Sequence, residues 1–159
     1  MLESCLKVGS VAIITNARKG WVEFSSKTFL PQLHVIIMKY VHIISARVAY
    51  EKLAPFDTFK WKQLAFANLW ENNELLDNNP AVITNMISFG DSTFEMEAAQ
   101  AFADKSPNPE NCFLKLIKLK ENPTFDEIKS ELDVVKSQFE KIFSAVKNLK
   151  IKLERGAKS

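Results

Sequence analysis

Glycine, proline, cysteine and histidine are all scarce in this chain, and it has no long apolar run. The 159 residues include 4 Gly, 6 Pro, 2 Cys and 2 His. So few Gly and Pro exclude collagen-like and low-complexity chains, and the two cysteines lack the spacing of a zinc motif. No apolar run approaches the roughly 18 residues of a membrane span, and the first ten residues lack a secretory signal. We therefore expect a cytoplasmic protein with no membrane partner.

The charge of the chain is nearly balanced, with 21 Lys and Arg against 19 Asp and Glu and a formal net charge of +2. This balance gives no indication of a nucleic-acid partner. A hydrophobic content of 47% is typical of a globular protein with a buried core. The length predicts one domain over residues 1–150, followed by a basic flexible tail over residues 151–159.

Short apolar runs that end in a polar residue recur along the chain and predict buried strands. The predicted strands cover residues 11–15, 41–45, 86–89 and 113–119. In residues 113–119 apolar residues alternate imperfectly with lysines. This pattern favours a strand toward the edge of the sheet, with its lysines in solvent. Helical spacing between the runs predicts an α/β fold, a three-layer Rossmann-like parallel sheet with helices on both faces.

The last predicted helix has the clearest pattern in the chain. Its apolar residues are spaced three and four apart from Phe125 to Leu149, and residues 124–127 form a capping box. We therefore expect one long amphipathic helix before the basic tail.

Polar residues at the carboxyl ends of parallel strands line one rim of such a sheet, where ligands bind. Thr15, Ser45 and Asp91 are predicted on this rim. Asp91 and Glu95 are four residues apart at a strand-to-helix turn and suit Mg²⁺, which prefers carboxylate, water and phosphate oxygens. The alternative is structural, because Ser92 and Glu95 also have the spacing of a capping box.

Two further positions have a functional and a structural interpretation. The Thr15 hydroxyl and the backbone around Asn16 can hold a phosphoryl oxygen, or they can form an ordinary polar strand end. Lys62 lies on an apolar helical stripe, where it can face an anion or extend its ammonium into water. Arg18 and Arg47 begin the two rim loops and can also contact an anion.

Taken in order, these motifs resemble the haloacid dehalogenase-like hydrolase superfamily, in particular a phosphatase-like subgroup. The residues that carry the resemblance are Ile-Thr-Asn-Ala at 14–17, Gly-Trp-Val at 20–22, Ser-Ala-Arg at 45–47, Trp-Lys at 61–62, Gly-Asp at 90–91, and Glu95. The likeness runs from about Val11 through the last helix.

The resemblance implies Mg²⁺-dependent phosphoryl transfer. It implies that Thr15 and Lys62 are the catalytic residues, that these two and Asn16 contact the phosphate, and that Asp91 and Glu95 hold Mg²⁺. The substrate would be a phosphorylated small molecule or protein. Such a site works by electrostatic stabilisation of the phosphoryl oxygens.

The chain departs from the family at the first motif, an Asp-x-Asp on a strand before Val11. The ten residues before Val11 contain no Asp. The resemblance therefore implies an N-terminally truncated or degenerate relative, inactive as given, that lacks the first, central strand and its nucleophile. The alternatives are a non-catalytic module that binds an anion or Mg²⁺ and a protein-interaction module. Unpaired strand edges also predict self-association.

Overall fold

Helices alternate with parallel strands throughout the computed structural model, which describes residues 1–71, 84–104 and 109–153. The chain divides into two compact units. One contains residues 2–76, and the other contains residue 1 and residues 77–159. Each unit is described separately below. Within the described ranges, no helix has both the length and the apolar character needed to cross a bilayer.

The first unit contains a two-stranded parallel sheet. Its elements are α1 (Leu2–Leu6), β1 (Val11–Thr15), α2 (Trp21–Phe29), α3 (Pro31–Tyr40), β2 (Val41–Ser45), α4 (Ala46–Tyr50) and α5 (Thr58–Glu71). The pairing of β1 with β2 runs from Val11 opposite Val41 to Thr15 opposite Ser45. Both polar strand ends therefore lie at the same edge, as the sequence predicts.

A small core holds α4 and α5 against this sheet. Ala46, Trp61 and Ala65 are buried together, and Ile14 and Ile44 pack against them from the strands. The indole N–H of Trp61 donates a 2.6 Å hydrogen bond to the carbonyl of Ala54, so the polar atom of this buried side chain is satisfied.

The second unit contains a three-stranded parallel sheet. Its elements are β3 (Thr84–Gly90), α6 (Thr93–Ala103), β4 (Cys112–Lys118), α7 (Phe125–Ser144) and β5 (Leu149–Lys152). The strand order is β3-β4-β5. Ile117 and Leu119 pack against Val135 and Ile142 of α7 to form a buried core. The α/β class is therefore confirmed, with parallel sheets flanked by helices.

Two predictions about the end of the chain are wrong. The last helix ends at Ser144, whereas the sequence predicts that it continues to Leu149. Residues 149–152 form the strand β5, whereas the sequence predicts that the tail begins within them. In β5 the apolar Leu149 and Ile151 are half-buried while Lys150 and Lys152 are exposed. Four residues are too few to reveal this alternation, and Leu149 by chance continues the helical spacing. Residues 154–159 lie outside the described residues.

The expectation that one strand is missing concerns the edges of β1 and β3. Among the described residues, β1 pairs with β2 alone and β3 pairs with β4 alone. A two-stranded parallel sheet is unusual, because parallel sheets normally have more strands and are covered by helices on both faces. The haloacid dehalogenase arrangement, the missing central strand and self-association through these edges stay predictions.

The prediction for the fourth strand is wrong in position and in the environment of its lysine. β4 is the central strand of its sheet, and Lys115 is 0% exposed. Its ammonium donates a 2.6 Å hydrogen bond to the carbonyl of Phe143, in the last turn of α7. Carbonyls at a helix C-terminus carry partial negative charge and attract a cation. Burial lowers the pKa of Lys115.

We expect Lys115→Ala to reduce the free energy of unfolding by about 2–5 kcal/mol, the range for truncating a long buried side chain. Lys115→Met, which keeps most of the volume, should cost less. The measurement is urea unfolding followed by circular dichroism. A Lys115→Ala protein as stable as the unsubstituted chain would contradict the buried position of this side chain.

The same lysine predicts a pH dependence. Because its pKa is lowered by folding from 10.5, the unfolded chain binds more protons between the folded pKa and pH 10.5. Stability relative to Lys115→Met should therefore rise as pH increases through that interval. A constant difference between the two proteins across the alkaline range would contradict the lowered pKa.

The N-terminus of α7 has the capping box that the sequence predicts. The backbone N–H of Thr124 donates to Glu127 Oε2 at 2.9 Å, and the backbone N–H of Glu127 donates to Thr124 Oγ1 at 3.3 Å. Lys120 Nζ donates to Glu127 Oε1 at 2.6 Å. The hydrogen bonds that the Glu127 carboxylate accepts, first from Lys120 and then from Thr124, lower its pKa to about 2.

The lowered pKa of Glu127 predicts a contribution to stability that is present above pH 4.5 and lost as pH falls toward 2. Glu127→Gln retains capping geometry but removes the charge. We expect the variant to lose less stability than the unsubstituted chain over that interval, measured by thermal unfolding at a series of pH values. Glu140→Gln, an exposed charge change on the same helix, serves as the control.

Candidate functional site

Two strand-end hydroxyls hold the loop that follows β1. Thr15 Oγ1 accepts a 3.1 Å hydrogen bond from the backbone N–H of Ala17, and Ser45 Oγ donates a 2.7 Å bond to the Ala17 carbonyl. Ser45 also caps α4, because its Oγ accepts from the backbone N–H of Val48. The parallel register places both hydroxyls at one edge, so the backbone N–H and the carbonyl of Ala17 are each held by the end of one strand.

A cavity of about 280 Å³ opens at this carboxyl edge. Its polar lining consists of Thr15, Arg18, Lys19, Glu23 and Ser45. Such an edge is where open parallel sheets bind ligands. The prediction that Thr15 and Ser45 share a rim is therefore confirmed within the first unit.

Asn16 joins the end of β1 to the start of α5. Its Nδ2 donates a 3.0 Å hydrogen bond to the carbonyl of Thr58, the first residue of that helix, and its Oδ1 is buried with no hydrogen-bond partner among the described residues. Lys62 follows Thr58 by four residues, about one helical turn. The helix that carries Lys62 therefore begins beside Thr15 and Asn16, although neither Asn16 nor Lys62 lines the cavity.

The basic residues nearest the cavity belong to the rim loop. Arg18 and Lys19 are both exposed and directly follow Ala17. Arg47 donates a 2.8 Å bond to Glu51, which lowers the pKa of the Glu51 carboxyl, and the charge of Arg18 adds to the effect. Arg18 and Arg47 were predicted from the sequence, whereas Lys19 and Glu23 were not. A signal existed for Lys19, because it stands next to Arg18 in the loop that Gly20 ends.

Asp91 and Glu95 lie in the second unit, at the turn from β3 to α6. The structure realises the capping box between Ser92 and Glu95: Glu95 Oε2 accepts from the Ser92 backbone N–H at 3.1 Å and from the Ser92 hydroxyl. Asp91 has an exposed side chain, and its carbonyl accepts a hydrogen bond from Lys118 Nζ. Glu95 therefore caps α6.

Gly90 makes this turn possible. A Cβ atom at position 90 would lie 2.7 Å from Glu95 Cβ and 2.8 Å from its Cγ, closer than side-chain atoms approach one another. The Glu95 side chain thus folds back against the end of β3 in space that only glycine leaves open.

The donor set at this turn does not fit Mg²⁺ as a carboxylate pair. One oxygen of Glu95 is engaged by Ser92, which leaves Asp91 as the exposed carboxylate. Within the described ranges, no group of three or more His, Cys, Asp and Glu side chains is arranged to hold a metal. A magnesium site at Asp91 and Glu95 stays a prediction, as does the convergence of Thr15 and Lys62 with these two residues.

Because Glu95 caps α6, its replacement by alanine should lower stability more than its replacement by glutamine. Glu95→Ala should lower the free energy of unfolding by about 1 kcal/mol, as does loss of a helix N-terminal cap. Glu95→Gln should have little effect, because glutamine also serves at this position of a capping box. Urea unfolding in the presence of a chelator provides the measurement, with Asp91→Asn as the control.

The same variants test the metal site. Because binding to the folded state raises stability, we compare unfolding with and without millimolar Mg²⁺. We expect no stabilisation that depends on these two carboxylates. A stabilisation present in the unsubstituted chain and lost in both Glu95→Gln and Asp91→Asn would contradict this expectation and establish the site.

Comparison with known proteins identifies no relative of this chain. No protein-family model matches it, and no curated protein and no solved structure matches it significantly.

Proposed function

We propose that this chain is a haloacid dehalogenase-like, phosphatase-type protein that binds a phosphorylated molecule without hydrolysing it. The binding site in this proposal is the cavity at the carboxyl edge of β1 and β2. The observation that carries the proposal is the composition of this cavity: two strand-end hydroxyls and two adjacent cations line a space of about 280 Å³. Phosphate recognition uses hydroxyl donors and cations of this kind.

The hydrogen-bonding state of Thr15 supports a role in phosphate binding. Its Oγ1 acts as an acceptor toward the Ala17 backbone N–H, so the hydroxyl proton can be donated to a phosphoryl oxygen. Ser45, by contrast, donates its proton to the Ala17 carbonyl. Thr15 is therefore the donor at the edge, and Ser45 holds the loop in place.

Arg18 and Lys19 supply the positive charge of the proposed site. Both line the cavity and follow Ala17, whose backbone N–H and carbonyl are both hydrogen-bonded. An arginine provides a planar pair of donors for phosphate, and a lysine provides a point charge. The resemblance to the third family motif assigns a further cation to Lys62 in the first turns of α5, a residue that does not itself line the cavity.

The sequence supports binding without turnover. The first Asp in the chain is Asp57, well after β1, and its Oδ1 accepts a hydrogen bond from the backbone N–H of Lys60 near the start of α5. The strand and Asp-x-Asp that supply the nucleophile in the family have no counterpart in these residues. Removing a covalent nucleophile can cost about six orders of magnitude in kcat.

We expect no hydrolysis of a generic aryl phosphate above background, even with millimolar Mg²⁺. We also expect inorganic phosphate to shift the backbone amide signals of residues 15–20 and 45–48 in a two-dimensional NMR titration. Arg18→Gln combined with Lys19→Gln should weaken this binding at least about tenfold, since hydrogen bonds to charged groups contribute about 1.5–3 kcal/mol each. Lys27→Gln combined with Lys39→Gln, exposed on α2 and α3, is the matched control.

Two results would overturn the proposal. One is phosphate binding that is absent or equally affected by both double variants. The other is turnover of the aryl phosphate that Asp91→Asn abolishes, because a nucleophile would then exist among residues interpreted here as structural.

A protein-interaction module is the second candidate, and the edges of β1 and β3 favour it. Each of these strands pairs on one side alone in the described part of the chain. An unpaired edge of an apolar strand can accept a further strand. Sedimentation velocity over a range of concentrations separates self-association through these edges from a monomer that binds phosphate.

A further inference from the structure

The cavity at the carboxyl edge of β1 and β2 is lined by a carboxylate of which one oxygen has no hydrogen-bond partner among the described residues. Glu23 lies in the first turn of α2 and lines this cavity. Its Oε2 is buried and has no hydrogen-bond partner among the described residues. Buried carboxylate oxygens are normally matched by a donor or a cation, because an unmatched one is costly. A ligand that supplies a cationic donor would remove this cost.

Opposite charges therefore line the same small space. Arg18 and Lys19 contribute positive charge, and Glu23 contributes negative charge. Gly20 separates them, with a φ of 87° that places it in the left-handed region at the N-terminus of α2. This backbone conformation, which favours glycine, turns the chain from the basic pair into the helix that carries Glu23.

We infer that this cavity binds the phosphomonoester of a small amino alcohol, with the phosphate toward Arg18 and Lys19 and the ammonium toward Glu23. The inference rests on the proposed function, which assigns the phosphate group to this edge. It adds the second charged group of the ligand, and this group distinguishes the ligand from phosphate alone and from uncharged phosphate esters.

The size of the cavity limits the rest of the ligand. About 280 Å³ lies just below the range of about 300–1,000 Å³ typical of pockets for drug-sized ligands. Val22, Ile43 and Val48 contribute apolar lining, which suits a short hydrocarbon chain between the two charged groups. 2-Aminoethyl phosphate is a ligand of this kind, with both charged groups on a chain of two carbons.

The test compares three probes in NMR titrations of the full chain: inorganic phosphate, ethyl phosphate and 2-aminoethyl phosphate. We expect 2-aminoethyl phosphate to bind at least about tenfold more tightly than ethyl phosphate, because it adds one hydrogen bond between charged groups. In Glu23→Gln the two esters should bind equally while inorganic phosphate still binds. Glu97→Gln, an exposed charge change on α6, should leave the preference intact.

The outcomes separate this inference from the proposal on which it rests. Equal binding of the two esters by the unsubstituted chain, or a preference that survives in Glu23→Gln, would overturn the inference while phosphate binding still supports the proposed function. Binding of none of the three probes would overturn both. The dispersion of the amide spectrum of each variant verifies that it is folded.

Discussion

The backbone of Ala17 is the constraint on which the candidate site depends. Its N–H is held by Thr15 and its carbonyl by Ser45, one hydroxyl from the end of each strand of the first sheet. Parallel pairing in register is what brings these two hydroxyls to the two sides of one residue. The loop that carries Arg18 and Lys19 therefore starts from a fixed point, and the positions of both cations follow from the pairing of two short strands.

In the second unit, charged side chains contact the ends of two helices. At the start of α6, Glu95 folds against Gly90 and caps the helix; at the end of α7, the ammonium of Lys115 reaches a terminal carbonyl. In both contacts a charged side chain forms hydrogen bonds with backbone groups that a helix leaves unpaired at its ends. Carboxylates and lysines that look available for chemistry in the sequence are thus engaged in holding the fold.

Much of the fold follows from the sequence because buried parallel strands are short apolar runs with polar ends. The strands that end at Thr15 and Ser45 have this pattern, and the structure has both. β5 was missed because Leu149 and Ile151 are too few to define a period, and Lys115 was misplaced because lysine in an alternating strand ordinarily faces water. Its burial depends on a carbonyl 28 residues away, and local sequence carries no sign of such a contact.

The candidate site was predictable in part for the same reason. Thr15, Ser45 and Arg18 were placed at one edge by the rule that ligands bind at the carboxyl ends of parallel strands. Glu23 was not, because its significance lies in a buried oxygen that lacks a hydrogen-bond partner, which only the three-dimensional structure shows. For Glu95, the sequence was compatible with two roles, that of a metal ligand and that of a helix cap. The structure shows that its carboxylate contacts Ser92 and caps α6.

The aromatic side chains give the two units different optical properties. Trp21, Trp61 and Trp70, together with Tyr40 and Tyr50, are all the tryptophans and tyrosines of the chain, and all belong to the unit of residues 2–76. Trp61 is buried, while Trp21 is more than half exposed. Intrinsic fluorescence therefore reports on one unit alone, whereas far-ultraviolet circular dichroism averages over both. Coincident denaturation curves from the two signals would mean that the units unfold as one cooperative system.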